Sequence, residues 1–117
     1  MKRDLDEIAI EDGRYCPAAF QFVYEGLEYT VTHVVEERGH VSGQTLCEGL
    51  RRMALDKYGR LAWLVLRTWR LKTTRDFGEI VYTLIGHEWM SAQPTDTIDD
   101  FNDVYDFEAA FKEPAPS

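Results

Sequence analysis

His33, His40 and Cys47 recur at seven-residue steps, and all three side chain types can ligate zinc. A closed zinc site needs four ligands, commonly in CxxC or HxxxH pairs, and the sequence offers neither a fourth ligand nor such a pair. A turn expected at 39–41 also separates His33 from Cys47, so the spacing has no helical meaning. The sequence points to no metal site. His33 reads instead as a helix-surface or inter-helix hydrogen-bonding residue. Asp99, Asp100 and Asp103 gather acids that could hold a hard cation. The alternating acids, glycine and distal glutamate of an EF-hand loop are missing, and acids at a helix start need only the helix dipole.

Nucleophile and phosphate chemistry finds as little support. No GxSxG, Walker loop or Rossmann fingerprint occurs. Asp76-Phe77-Gly78 spells the kinase tripeptide without the glycine-rich loop or the HRD loop that give it meaning. Glu25 and Glu28 lie on a polar helix strip where a general base could sit, but nothing selects either. Cys16 and Cys47 make no disulfide framework and read as separate reduced thiols, Cys47 as a small core residue. The expectation is no catalytic residue, no metal and no cofactor. An enzyme with an unrecognised site ranks last among the readings.

Charge says more. The 117 residues carry a net charge of −8, against general affinity for nucleic acid. Yet residues 51–75 hold Arg51, Arg52, Lys57, Arg60, Arg67, Arg70, Lys72 and Arg75 against the single acid Asp56. Residues 96–113 hold Asp96, Asp99, Asp100, Asp103, Asp106, Glu108 and Glu113 against the single base Lys112. The plain expectation is that the acidic end folds near the basic middle and neutralises it. The functional rival is a helix-turn-helix: 61–69, a break at 70–73, and 74–85, with Arg67, Arg70, Lys72 and Arg75 clustered at the break. The second of these helices has no base after Arg75 and turns Glu79, Tyr82 and Thr83 outward, unlike a helix that donates to base edges. Nucleic-acid binding through the basic segment 60–75 is therefore the second reading.

These residues must be positioned by helices. In 17–38, Phe20, Val23, Tyr24, Leu27, Val31, Val34 and Val35 recur at three- and four-residue steps, predicting one long central helix between Pro17 and a stop at Gly39. A second stripe, Phe22, Gly26, Tyr29 and His33, implies neighbours on two sides. Residues 4–12 predict a short helix ended by Gly13. Ser42 suits the cap of a helix carrying Leu46, Leu50, Met53, Ala54 and Tyr58 up to Gly59. The short link between the two long helices implies an antiparallel hairpin. Gly26 and Gly49 sit inside these helices at a cost of roughly 1 kcal/mol each relative to alanine, which suggests a close crossing. Residues 61–71 are apolar in nearly every direction and predict a buried helix, with a buried strand as the alternative. Phe77, Ile80, Val81, Leu84 and Ile85 predict an amphipathic helix opened by Thr73 and Asp76 and closed by Gly86. Thr97 with Asp100, and Asp106, are further caps. Residues 113–117 have nothing to bury and predict a disordered tail.

Four strings then look familiar together: HVSGQTLCEGLRRMAL at 40–55, DFGEIVYTLI at 76–85, DFNDVYDFEAAF at 100–111 and RYCPAAFQFVYEGLEYT at 14–30. Over roughly 14–111 the chain resembles a small family of uncharacterised bacterial proteins found mainly in Planctomycetes and Verrucomicrobia. The resemblance implies a bacterial source and a free-standing domain. It brings no activity and no catalytic residue.

The fold expected is all-α: a compact multi-helix single domain over 1–112 around a long central helix, with a short strand or wing near residues 88–92 left open. No apolar run approaches the roughly 20 residues that cross a bilayer, and the N-terminus lacks a secretory apolar core. A cytoplasmic location without membrane contact is expected. The leading function is a non-enzymatic protein-binding or self-associating adaptor domain. Trp89, Arg67, Arg70, Lys72 and Arg75 are the candidate partner-binding residues, Trp89 because interfaces favour exposed aromatic anchors. Trp63 and Trp69 read as core.

Overall fold

Most of the helices begin where a short polar side chain can replace a missing helical partner. Asp4 accepts the amide of Asp6 and opens α1, Leu5–Asp12, which left-handed Gly13 closes. Pro17 stands at the first turn of α2, Pro17–His33. Ser42 accepts the Thr45 amide at 3.1 Å and opens α3, Gly43–Tyr58. A 3-10 turn at Gly59–Leu61 leads into α4, Ala62–Thr68. α5, Thr74–Gly86, follows Thr73 and is opened by Asp76 of its first turn, whose Oδ2 accepts the amides of Lys72 at 2.8 Å and Thr73 at 3.0 Å. A second 3-10 turn, Ile98–Phe101, precedes α6, Phe107–Phe111, which Asp106 caps through the Ala109 amide. This computed structural model describes residues 3–34 and 41–112, an all-helical domain with no strand among the described residues. The predicted continuation of the long helix to 38, its stop at Gly39, His40 and the tail 113–117 lie outside them.

α2 and α3 pack as the antiparallel hairpin expected, through their smallest residues. Gly26 of α2 faces Leu50 and Met53 of α3, while Gly49 of α3 faces Thr30 of α2. This crossing corrects the predicted face of α2. Ala19, Phe20, Phe22, Val23, Gly26 and Thr30 are buried, so Phe20 and Val23 of the first stripe and Phe22 and Gly26 of the second face the core, whereas Tyr24 and Val31 are exposed. The apolar count favoured the stripe through Tyr24 and Val31. Close backbone approach at Gly26 rotates the buried side by roughly a quarter turn, about one residue in a 3.6-residue period.

α5 buries Phe77, Ile80, Val81 and Leu84 as its period predicted. The 3-10 turn at 98–101 lies across α5 and α3, with Phe101 against two glycines. A Cβ on Gly78 would stand 2.8 Å from Phe101, and one on Gly43 3.0 Å from it. Thr74, 1% exposed, locks this segment: its hydroxyl donates to the Phe101 carbonyl at 2.6 Å and accepts from the Val104 amide at 3.1 Å. Behind it Phe77, Phe107 and Phe111 pack in sequence, the first pair tilted and the second edge-on, with ring centroids 5.2 and 4.9 Å apart.

Two further expectations change. α5 ends at Gly86 as expected, but Gly86 itself is not left-handed. The left-handed position falls to Glu88 (φ 66°), where the Trp89 amide returns to the Leu84 carbonyl at 2.9 Å. α4 ends the same way, with Arg70 left-handed (φ 70°) and the Leu71 amide on the Leu66 carbonyl. This closure carries the chain through a turn and bend at 87–90, so no strand or wing forms at 88–92. Nor is α4 buried all round: Ala62 and Leu66 are fully buried, but Leu61 and Leu64 are 60% and 61% exposed.

Candidate partner-binding face

The exposed side of α4 is where charge and apolar surface meet. Leu61 and Leu64 are one turn apart, and Thr68 continues their row outward. Exposed Arg60 and Arg67 flank them, and exposed Arg70 and Lys72 follow in the turn to α5. None of these four cations forms an ion pair with a described residue. The Arg67 guanidinium lies over the Trp63 ring, 5.0 Å from its centre, in a cation–π contact. Trp63 is half-buried and Trp69 packs against Phe22 and Tyr58, so both aromatics serve mainly as the core side of this face.

The other basic residues of 51–75 are differently placed. Arg51 and Arg52 both pair with Glu48, and Lys57 with Glu25 at 2.9 Å. Arg75 bonds Glu79 at 3.0 Å, Asp99 at 3.0 Å and Asn102 at 2.9 Å. Among the described residues, Arg75–Asp99 is the one ion pair between the basic middle and the acidic end. The acidic end does fold against the basic middle, with the 98–101 turn on α3 and α5, and α6 on α3 and α4, but its direct pairing there is limited to Arg75–Asp99 among the described residues. Arg67 and Arg70 lie at the end of α4 and just after it, Lys72 lines a shallow hollow with Asp103 and Asp106, and Arg75 is held in a network on α5.

That network also covers the outward side of α5. Arg14 donates to Asp12, to Glu79 at 2.9 Å and to Thr83 at 3.3 Å. Its guanidinium, followed by that of Arg75, holds the Glu79 carboxyl below its usual range. Tyr82 meets Phe101 edge-on. The positions through which a recognition helix would read bases are thus occupied by internal contacts.

Trp89 is half-buried and turned inward. Its indole Nε1 donates to the Arg3 carbonyl at 2.6 Å, and its ring meets Tyr24 at 5.3 Å in an edge-on pair. It joins the chain just before α1 to α2, away from the turn between α4 and α5.

The residues considered for chemistry are scattered. Cys47 is fully buried, and burial pushes its thiol up to about 12, so the reactive thiolate is suppressed near neutral pH. Glu25 is paired with Lys57. His33 stacks on Tyr29 at the helix surface. Asp99 is held by Arg75, and Asp100 accepts the Thr97 amide at 3.1 Å as a cap. Among the described residues no group of three or more His, Cys, Asp or Glu is placed to hold a metal ion. An apolar crease beside Leu27, Leu46, Ile85 and Phe101 encloses only about 50 Å³, below the roughly 300–1,000 Å³ of ordinary ligand sites. No helix among the described residues is long and apolar enough to cross a membrane.

Leu61 and Leu64 are the site residues that sequence reasoning missed. An apolar run without a clean period gives no sign of which two leucines face water. The available signal was their bracketing by Arg60 and Arg67, which cannot themselves enter a core unpaired. Comparison with protein-family models, with curated proteins and with solved structures finds no match for this chain.

Proposed function

We propose that this chain is a non-enzymatic, cytoplasmic protein-interaction domain that binds through α4 and the turn after it. One observation carries the reading: two exposed leucines lie among four cations without ion pairs to any described residue, in a chain whose net charge is −8. A lone exposed leucine is ordinary on any surface. A pair of them in a basic setting on an acidic molecule favours a partner that is acidic around an apolar patch. Charge then steers the encounter and the leucines anchor it. Arg67, Arg70 and Lys72 keep their place as partner-binding residues; Arg75 and Trp89 are committed internally. The resemblance to free-standing bacterial domains without an assigned activity agrees with such a role.

The test is site-specific photocrosslinking in bacterial cells, with the reactive residue at position 64 or, as a control, at 108. A discrete protein adduct is expected from position 64 and not from 108. It should vanish when Arg67→Glu and Arg70→Glu are added. Equal adducts from both positions, or an adduct from 64 indifferent to the charge reversals, would mean that α4 is not the binding face.

A further inference from the structure

The most exposed large hydrophobic side chain among the described residues is on a different helix. α1 turns Leu5, Ile8 and Ala9 into the core and leaves Ile10 71% exposed. Asp6 and Glu7, four and three residues before Ile10, share its face, and Glu11 borders it; all three are exposed. Arg3 pairs with Glu7 at 3.8 Å and also with Glu11, so among the described residues one cation stands against three acids on this face. α1 therefore presents an apolar side chain ringed by acids. α4 presents two apolar side chains ringed by bases. The acidic segment 99–108 offers no comparable anchor, because its Phe101 and Phe107 are buried.

Taking α4 as the binding face, we propose that its occupant is a second copy of this chain, presenting α1. Ile10 of one copy covers Leu61 and Leu64 of the next. Asp6, Glu7 and Glu11 then lie opposite Arg67, Arg70 and Lys72. The two surfaces differ, so the contact is head-to-tail and not two-fold. Each pair keeps one free α1 and one free α4, and association continues until a ring closes or a chain grows. The apolar patch is small, so the contact is weak and depends on charge.

Sedimentation velocity of the purified full chain tests this. Between about 5 and about 500 µM at about 50 mM salt, the mean mass should rise from 13.6 kDa to at least twice that, and about 500 mM salt should reverse the rise. Arg67→Glu with Arg70→Glu removes one face; Glu7→Lys with Glu11→Lys removes the other. Each variant alone should stay at the mass of one chain, and an equimolar mixture should recover association, because charges again oppose each other. Ile10→Ser, which changes no charge, should weaken the association at least tenfold and replaces the lysine variant if that one melts early by circular dichroism. A parent chain that stays at 13.6 kDa throughout, or a mixture of folded variants that stays there, overturns the proposal. A foreign partner on α4 gives a different pattern: a monomer in the centrifuge, with the position-64 crosslink in cells intact.

Discussion

Thr30 stands in the space where Gly49 lacks a side chain. A Cβ built on Gly49 would overlap the Thr30 hydroxyl and lie 2.7 Å from its Cβ. Thr30 has no room to turn away, since it is fully buried and its hydroxyl donates to the Gly26 carbonyl at 2.6 Å. One turn along, Gly26 gives Leu50 the same allowance. Sequence position alone made Gly26 and Gly49 costly; their crossing is what that cost supports.

Gly49→Ala should therefore destabilise by about 1–3 kcal/mol through overpacking. Gly26→Ala should also destabilise, but less, because its nearest obstacle is the end of the Leu50 side chain. Gly86→Ala is the control. No atom lies within 4 Å of its added carbon and its φ is not left-handed, so it should stabilise by about 0.4–1 kcal/mol. Thermal melts at equal concentration give all three signs.

Phe77 is fully buried between the rings of Phe22 and Phe107, at 6.4 and 5.2 Å. Phe77→Ala should cost about 3–5 kcal/mol by denaturant titration. A loss below about 1 kcal/mol would place this face outside the main core.

Asp76 ties the start of α5 to the chain before α2. Its Oδ2 caps the helix, and its Oδ1 accepts the Tyr15 hydroxyl at 2.6 Å. Asp76→Ala should cost about 1–3 kcal/mol, and Tyr15→Phe about 1 kcal/mol. In a double-mutant cycle the two losses should fall short of additivity. Strict additivity would mean that the bond contributes nothing.

Glu79 predicts the acid limb of stability. Its folded-state carboxyl is depressed, chiefly by its bond from Arg14 and then by that from Arg75. As pH falls, the unfolded chain takes up the proton first. The stability is thus complete above the ordinary glutamate value near 4.3 and disappears as pH drops through the lower folded value. Glu48, held down by Arg51, acts in the same direction. Melting temperature should hold from pH 7 to about 5.5 and fall below about 4.5, less steeply in Glu79→Gln. An equally steep fall in that variant removes Glu79 from the account.

The chain should not bind duplex DNA specifically. Filter binding at physiological salt should give dissociation no tighter than the micromolar non-specific range, for any sequence. A sequence-dependent footprint lost on changing Arg70, Lys72 and Arg75 would promote the helix-turn-helix reading over protein binding.

Helix positions were legible wherever a local rule sufficed. Ser42, Asp76, Thr97 and Asp106 announce their caps by spacing within three residues, and α5 announces its face by a clean period. The failures share a cause: the deciding partner is distant in sequence. The buried side of α2 is set by α3 pressing on Gly26. Thr74 is a buried polar side chain because its partners lie 27 and 30 residues away. Arg70 and Arg75 look alike in the sequence, yet only Arg75 meets Asp99 and Asn102. Glu88 takes a left-handed position that glycine statistics would assign to Gly86. The binding face was half visible: its cations could be named, but not its leucines.

Phe101 fits only between helices that already exist, for the hollow it fills is made by Gly43 of α3 and Gly78 of α5. The segment around it is therefore expected to dock after α3 and α5 have met, late along the folding coordinate. Substitutions at Phe101 or Thr74 should leave the refolding rate nearly unchanged and speed unfolding by close to their full effect on stability. Gly49→Ala, at the crossing of α2 with α3, should by contrast slow refolding, so that the lifetime of the folded molecule and the speed with which it forms respond to different places in the chain.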